Sequence, residues 1–200
     1  MKKKFMGLAM KSIKNNGNYS EEKLEEIAYG LEAIYLTITK MIILFGLAIV
    51  LDIVKEFILL LIFYNIIRTN AFGIHASKSI YCLISSIVLF IGGTLFCKYV
   101  TISFVGMLII AGICLICLFK YAPADTYKRP LVNKKKRKRF KLLSFVSGII
   151  YFILIIVFKN HYIVNYILLG LVEAVIMILP LTYKIFNLPY NNYKNYEYVV

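Results

Sequence analysis

The chain has 200 residues, of which 60% are hydrophobic, and a mean hydropathy of +0.76. A soluble globular domain carries roughly 45–50% apolar residues, so this composition excludes an ordinary soluble domain. The formal net charge is +14, from 24 lysines and arginines against 10 acidic residues. A membrane protein with strongly basic connections is therefore indicated.

The first segment of the chain, residues 1–19, mixes lysines with apolar residues. This mixture is typical of an amphipathic helix that lies at a membrane interface, and the run NNGN ends it. A second helix is predicted from Ser20, whose hydroxyl suits an N-cap. Glu21 and Glu22 follow in the first turn, where the helix dipole favours acidic side chains.

Six apolar runs follow, at residues 41–51, 57–67, 80–96, 100–119, 142–158 and 162–181. A helix needs about 20 residues to cross the hydrocarbon, and four of the runs meet or approach that length. The first run does so only if it begins near Ala33 and includes Lys40. The second does so only if it extends past Arg68 or lies shallowly in the membrane. The predicted fold is all-α: a single membrane-embedded domain over residues 1–200 with about six transmembrane helices.

Basic residues concentrate in alternate connections, above all in residues 120–141, which are predicted to be a basic cytoplasmic loop. The positive-inside rule then places both chain ends in the cytoplasm. The run KKKRKR at residues 134–139 could be a nucleic-acid-binding patch. However, it flanks the fifth span directly, which favours an anchor facing anionic lipid headgroups, and we expect no nucleic-acid partner. The polar tail, residues 187–200, is expected to fray beyond Pro189.

Two charged residues are predicted to lie within spans, Lys40 and Glu173. Such charges need partners in the membrane, so we expect both to face the protein interior, as a pair or separately. Cys114 and Cys117 have the spacing of a redox motif, but no charge near them would lower the pKa of a thiol. Packing is the favoured role for these two cysteines.

The segment RTNAFGIHASKSIYC, from Arg68 to Cys82, is a basic interruption between two apolar runs and contains His75. Covalent acyl transfer requires at least a nucleophile and a base, and a thiol with a neighbouring imidazole supplies both. On one straight helix the two residues would be about 10 Å apart, too far for a hydrogen bond of about 2.6–3.2 Å. They can meet only if a helix begins between them, which Ser77 permits as an N-cap, and if Gly73 folds the preceding segment back.

Spacing alone leaves three functional classes open. The first is a cysteine endopeptidase with His75 as base and Cys82 as nucleophile. The second is a small peptide exporter or transporter subunit, in which His75 and Arg68 line a path and Cys82 packs. The third is a noncatalytic membrane anchor or signalling partner. Arg68 has two predicted roles of equal weight, binding a substrate carboxylate and serving as a topology charge.

The same segment resembles the accessory gene regulator B (AgrB) family of membrane cysteine endopeptidases. That family's pattern is an arginine, a glycine-containing turn, Gly-x-His and a cysteine seven residues after the histidine. Here these are Arg68, Gly73, His75 and Cys82, while Phe72 stands where family members often have a second glycine. Other matching blocks run in order over residues 21–180: YGLE at 29–32, Lys40, YAPADT at 121–126 with Lys128 and Pro130, and Glu173-Ala174 before Leu179-Pro180.

The resemblance implies an enzyme of a Gram-positive cell membrane that matures quorum-sensing peptides from an AgrD-like amphipathic precursor. It implies that Cys82 attacks a backbone carbonyl with His75 as base and leaves an acyl-enzyme, from which a thiolactone or lactone closes. The basic stretch beginning at Lys128 and Arg129 is expected to attract an acidic precursor tail. We expect no cofactor and no metal. The oligomeric state stays open, with a homodimer among the alternatives.

Overall fold

A computed structural model describes residues 2–17, 19–74, 79–127 and 130–196, and this part of the chain is all-α. It falls into two compact units that divide between Val50 and Leu51. Among the described helices, four are long and apolar enough to cross a membrane: Glu21–Val50, Ser79–Tyr99, Phe104–Tyr121 and Lys134–Val157. The prediction of an all-α membrane protein is confirmed.

The first unit consists of α1 (Lys2–Asn16) and α2 (Glu21–Val50). The predicted cap is present, since the Ser20 hydroxyl accepts the N–H of Lys23 at 3.3 Å. Within the unit the ring of Phe5 lies 5.2 Å from that of Tyr35, centroid to centroid. This aromatic contact packs the short basic helix against the long apolar one.

The second unit contains the remaining helices, which the structure gives in the following order. They are α3 (Val54–Ala71), α4 (Ser79–Ser86), a π-helical segment (Ile87–Gly92), α5 (Gly93–Tyr99), α6 (Phe104–Tyr121), α7 (Lys134–Val157), α8 (Ile163–Ile176), α9 (Pro180–Ile185) and a 3-10 turn (Asn192–Tyr196). The segments α4, π and α5 follow one another without a break and together form the span Ser79–Tyr99.

The centre of the second unit is α8, a helix of 14 residues. A Cβ added at Gly170 would lie 2.8 Å from the backbone nitrogen of Tyr64, so only glycine lets α8 approach α3 this closely. From α7, the hydroxyl of Tyr151 donates to the carbonyl oxygen of Phe63 at 2.9 Å. Most of the α8 side chains are buried as a result: Val164, Tyr166, Ile167, Leu168, Leu171, Glu173, Ala174 and Val175.

The last apolar run, predicted as one helix over residues 162–181, divides into α8 and α9. Pro180 has no N–H to donate and forces Leu179 into an extended conformation, with ψ 136°. The carbonyl of Ile176, which a continuous helix would pair with residue 180, instead accepts the hydroxyl of Thr182 at 2.6 Å. The break leaves the end of α8 free to contact other parts of the chain.

The basic run at residues 134–139 forms the first turns of α7, so the connection between α6 and α7 is limited to residues 122–133. The side chain of Asn133 caps this helix by accepting the N–H of Lys136 at 3.0 Å. The tail was expected to fray beyond Pro189, and its described part, residues 190–196, makes specific contacts. Asn192 is buried there, and the guanidinium of Arg137 lies 3.6 Å from the ring centroid of Tyr193.

Candidate functional site

The chain leaves the helical conformation directly after α3. Phe72 has φ 59° and Gly73 has φ 110°. Glycine adopts such positive values freely, whereas side chains with a Cβ rarely do. The helix is therefore interrupted between Arg68 and Cys82, and Gly73 makes the turn that the fold-back hypothesis requires.

Phe72 occupies a backbone position that favours glycine, with φ 59° and ψ −133°. Holding a non-glycine residue in this sparsely populated backbone region costs about 1–3 kcal/mol. The ring of Phe72 packs edge-to-face on Phe140 of α7, with centroids 4.9 Å apart. An aromatic pair of this kind contributes about 0.5–1.5 kcal/mol beyond its buried area, which offsets part of that cost.

Arg68 closes this turn from the last part of α3. Its guanidinium donates to the carbonyl oxygens of both Phe72 and Ile74. A planar guanidinium suits this task because its donors form a fixed fork that reaches two acceptors at once. Neither of the two predicted roles of Arg68 includes this one.

Two distant parts of the chain hold the turn from the other side. The N–H of Gly73 donates to the carbonyl of Ala124 at 2.8 Å, and the N–H of Ala124 donates to the carbonyl of Ala71 at 2.9 Å. The N–H of Ile74 donates to the carbonyl of Met177, just past α8, at 3.0 Å. The YAPADT block and the end of α8 thus fix the turn together.

Ile74 is the last described residue before the predicted catalytic histidine. Its N–H and its C=O are both hydrogen-bonded, so the backbone is fixed up to the position that precedes His75. His75 itself lies outside the described residues. Lys128 and Arg129, predicted to support substrate binding, also lie outside them.

Cys82 is the fourth residue of α4 as described, and it is half-buried. Its carbonyl oxygen accepts the hydroxyl of Ser85 at 3.1 Å. Because α3 ends at Ala71 and α4 is described from Ser79, the cysteine belongs to a different helix from Arg68 and lies in the first described turn of that helix. This placement puts the thiol near the N-terminal end of the span that follows the predicted histidine.

Tyr64 is a residue of this site that the sequence did not single out. It precedes Arg68 by one helical turn, is 9% exposed, and packs edge-to-face on Phe90 with centroids 5.1 Å apart. Its ring thereby joins α3 to the π-helical segment of the span that contains Cys82. A tyrosine in an apolar run is most often a packing residue, so only its i, i+4 spacing to Arg68 could have indicated it.

Glu173 lies in the interior of the second unit, 3% exposed. It faces Gly93 of α5, where an added Cβ would lie 2.7 Å from its Oε1 atom. Lys40 belongs to α2 in the first unit, so its pairing with Glu173 stays a prediction. Within the described residues, no group of three or more His, Cys, Asp and Glu side chains is arranged to hold a metal ion.

Replacing Arg68 by lysine tests whether its hydrogen bonds, and not only its charge, stabilise the turn. Lysine keeps the charge but cannot present a planar fork to two carbonyls. We expect Arg68→Lys to lower the free energy of unfolding by about 1.5–3 kcal/mol, measured as a lower melting temperature in detergent. Arg139→Lys, at an exposed position of α7, is the matched control and should melt normally. Equal melting of the two variants would show that Arg68 acts as a charge alone.

Comparison with known proteins identifies the family. The family model for accessory gene regulator B matches residues 8–178. An AgrB-like protein of Clostridium acetobutylicum is 33% identical over 190 residues, which cover 93% of this chain and 90% of that protein. Accessory gene regulator protein B of Staphylococcus aureus is 30% identical over 173 residues, covering 86% and 91%. No solved structure matches the chain. By the extent of these matches, the chain belongs to the accessory gene regulator B family.

Proposed function

We propose that this protein is a membrane cysteine endopeptidase that matures a quorum-sensing peptide from an AgrD-like precursor. The observation that carries the proposal is the interruption between α3 and α4. Hydrogen bonds hold the backbone up to Ile74, directly before His75, and Cys82 lies in the first described turn of α4. An imidazole on such a turn can reach over the start of α4, which an unbroken helix would prevent. Family membership supports the same assignment.

The proposed reaction begins with transfer of the Cys82 thiol proton to His75. The sulfur attacks the carbonyl carbon of the scissile peptide bond and forms a tetrahedral intermediate. The carbon–nitrogen bond then breaks, and the imidazolium gives its proton to the leaving amine. The C-terminal fragment departs with a free amine, and the signal sequence remains on Cys82 as a thioester.

Ring closure follows by exchange at the thioester. A cysteine thiol within the precursor attacks the acyl carbon, its sulfur replaces that of Cys82, and its proton returns to Cys82 through His75. A serine hydroxyl would give a lactone by the same step. Exchange between thioesters is close to neutral in free energy, whereas forming the first one from an amide is uphill. Removal of the released fragment therefore drives the reaction, and exclusion of water protects the acyl-enzyme from hydrolysis.

The basic start of α7 is the surface to which we assign the precursor's acidic tail. Cations at a helix N-terminus are disfavoured by the helix dipole, so anions from outside the chain stabilise them there. Anionic lipid headgroups and an acidic peptide both meet this need, and an amphipathic precursor helix would lie on the same cytoplasmic surface. Lys128 and Arg129 precede this helix in the proposed binding region. Five cations in the first turns of α7 are exposed: Lys134, Lys135, Lys136, Lys138 and Arg139.

Trapping the acyl-enzyme tests the proposed mechanism. A precursor whose ring-forming cysteine is replaced by alanine cannot cyclise, so its N-terminal part should accumulate on Cys82. Mass spectrometry of the protein in proteoliposomes should show this adduct, and hydroxylamine should release it as the hydroxamate. His75→Ala should form no adduct. Release of the C-terminal fragment without any adduct on Cys82 would contradict covalent catalysis by this thiol.

A further inference from the structure

Asp125 of the YAPADT block is buried, with 3% of its surface exposed, and its carboxyl group accepts three backbone N–H groups. Oδ2 accepts from Leu131 at 3.1 Å and from Tyr193 at 2.8 Å. Oδ1 accepts from Asn192 at 2.9 Å. One side chain therefore organises its own loop and also binds the C-terminal segment Asn192–Tyr196.

Further contacts strengthen this link. The side-chain amide of Asn192, which is 1% exposed, donates to the carbonyl oxygens of Asp125 at 3.5 Å and Pro189 at 2.9 Å. From α9, the hydroxyl of Tyr183 donates to the carbonyl of Asp125 at 2.9 Å. We call the bonds from Asp125 to the backbone of Asn192 and Tyr193 the tail clamp.

The tail clamp and the turn before His75 are attached to neighbouring residues of the same block. The backbone of Ala124 bonds to Ala71 and Gly73 on the turn, and the next residue, Asp125, bonds to the tail. Buried hydrogen bonds to a charged group are stronger than neutral ones, so they resist displacement. A shift of Asp125 would move Ala124, and with it the turn at residues 71–74 that precedes His75 in the chain.

We propose that Asp125 is a positioning residue that fixes the turn before His75 by holding the C-terminal segment against the YAPADT block. This inference rests on the proposed function, because the position of the turn affects a rate only if His75 and Cys82 react. Misplacing a reacting group by 1 Å can cost about a hundredfold in rate. Loss of the tail clamp therefore lowers the rate of acylation and leaves precursor binding unchanged.

Single-turnover acylation of Cys82, per folded protein, measures this effect. Asp125→Asn preserves the shape of the side chain. It replaces one carboxyl oxygen by an amide nitrogen, which donates hydrogen bonds and cannot accept one from a backbone N–H. We expect it to lower the maximal acylation rate about ten- to a hundredfold. The precursor concentration at half-maximal rate should not change. Ending the chain after Tyr190 removes the tail half of the clamp and should lower the maximal rate in the same direction. In the double variant the effects should not add, since both changes break the same bonds.

The matched control is Ser103→Ala, which removes the cap of α6 outside the proposed binding region. It should cost about 1 kcal/mol of stability and keep the normal acylation rate per folded protein. A normal rate in Asp125→Asn, additive effects in the double variant, or a rise only in the half-saturating precursor concentration would overturn the positioning role. If Asp125→Asn does not fold, the protein that ends after Tyr190 tests the proposal by itself. A normal acylation rate in that protein would overturn the role of the tail clamp. Absence of any acyl-enzyme in the unchanged protein would instead refute the proposed function.

Discussion

Cys82→Ser is expected to abolish precursor cleavage, with a rate at least about a thousandfold below that of the unchanged protein. A serine hydroxyl is close in size to the thiol that it replaces. It is a far weaker nucleophile at neutral pH, so acylation of the enzyme should become the failing step. The rate is measured with the protein in proteoliposomes. Mass spectrometry follows the release of the C-terminal fragment from a purified precursor.

Cys117→Ser in α6 is the matched control, because the same atom is exchanged at another half-buried cysteine. This variant should cleave at the normal rate. Cleavage by a correctly inserted Cys82→Ser protein at a comparable rate would contradict the endopeptidase mechanism. A peptide exporter in which Cys82 only packs would, by contrast, retain most of its transport activity in Cys82→Ala.

Gly73→Ala is expected to have the next largest effect, through the backbone of the turn. The residue has φ 110°, and an added Cβ would fall against the Arg68 guanidinium and the carbonyl oxygen of Met177. Backbone strain and overpacking together should lower the free energy of unfolding by about 2–5 kcal/mol. The measurement is the melting temperature in detergent, with cleavage assayed on the folded fraction.

Gly112→Ala in α6 is the control for this change, since an added Cβ there has no atom within 4 Å. It should melt at least as high as the unchanged protein, because alanine favours a helix over glycine. Since the turn precedes His75 directly, the folded fraction of Gly73→Ala should also cleave slowly. Normal melting and normal cleavage in Gly73→Ala would show that the turn is not constrained as described.

The helical class and the approximate places of the long helices could be read from the sequence, because apolar length and capping chemistry are local properties. Ser20 caps α2 as its side chain predicts, and the runs at residues 80–96, 100–119 and 142–158 lie in helices long enough to span a membrane. The number of about six spans stays a prediction, since four of the described helices are long and apolar enough and α8 is shorter. The start of α7 within the basic run was less evident, because charge indicates topology and not conformation. The division at Pro180 was missed because hydropathy continues across it, while the hydrogen-bond pattern does not.

Part of the candidate site could also be predicted, because helix geometry and the conformational freedom of glycine are local properties. The distance along a straight helix required an interruption between His75 and Cys82, and Gly73 was the residue able to make the turn. Tyr64 and Asp125 were missed because an isolated tyrosine or aspartate has no local pattern. Their roles depend on neighbours that the folded chain supplies.

By itself, the sequence determined that the protein is a helical membrane protein and that the segment from Arg68 to Cys82 interrupts its helices. Hydrophobic length and the steric freedom of glycine are sufficient for both conclusions. Only the tertiary structure decided what holds residues 71–74 of that segment in place: the Arg68 fork, the backbone of Ala124 and the carbonyl of Met177. These groups lie far apart along the chain, and backbone hydrogen bonds between distant segments depend on packing geometry, which residue types alone do not specify.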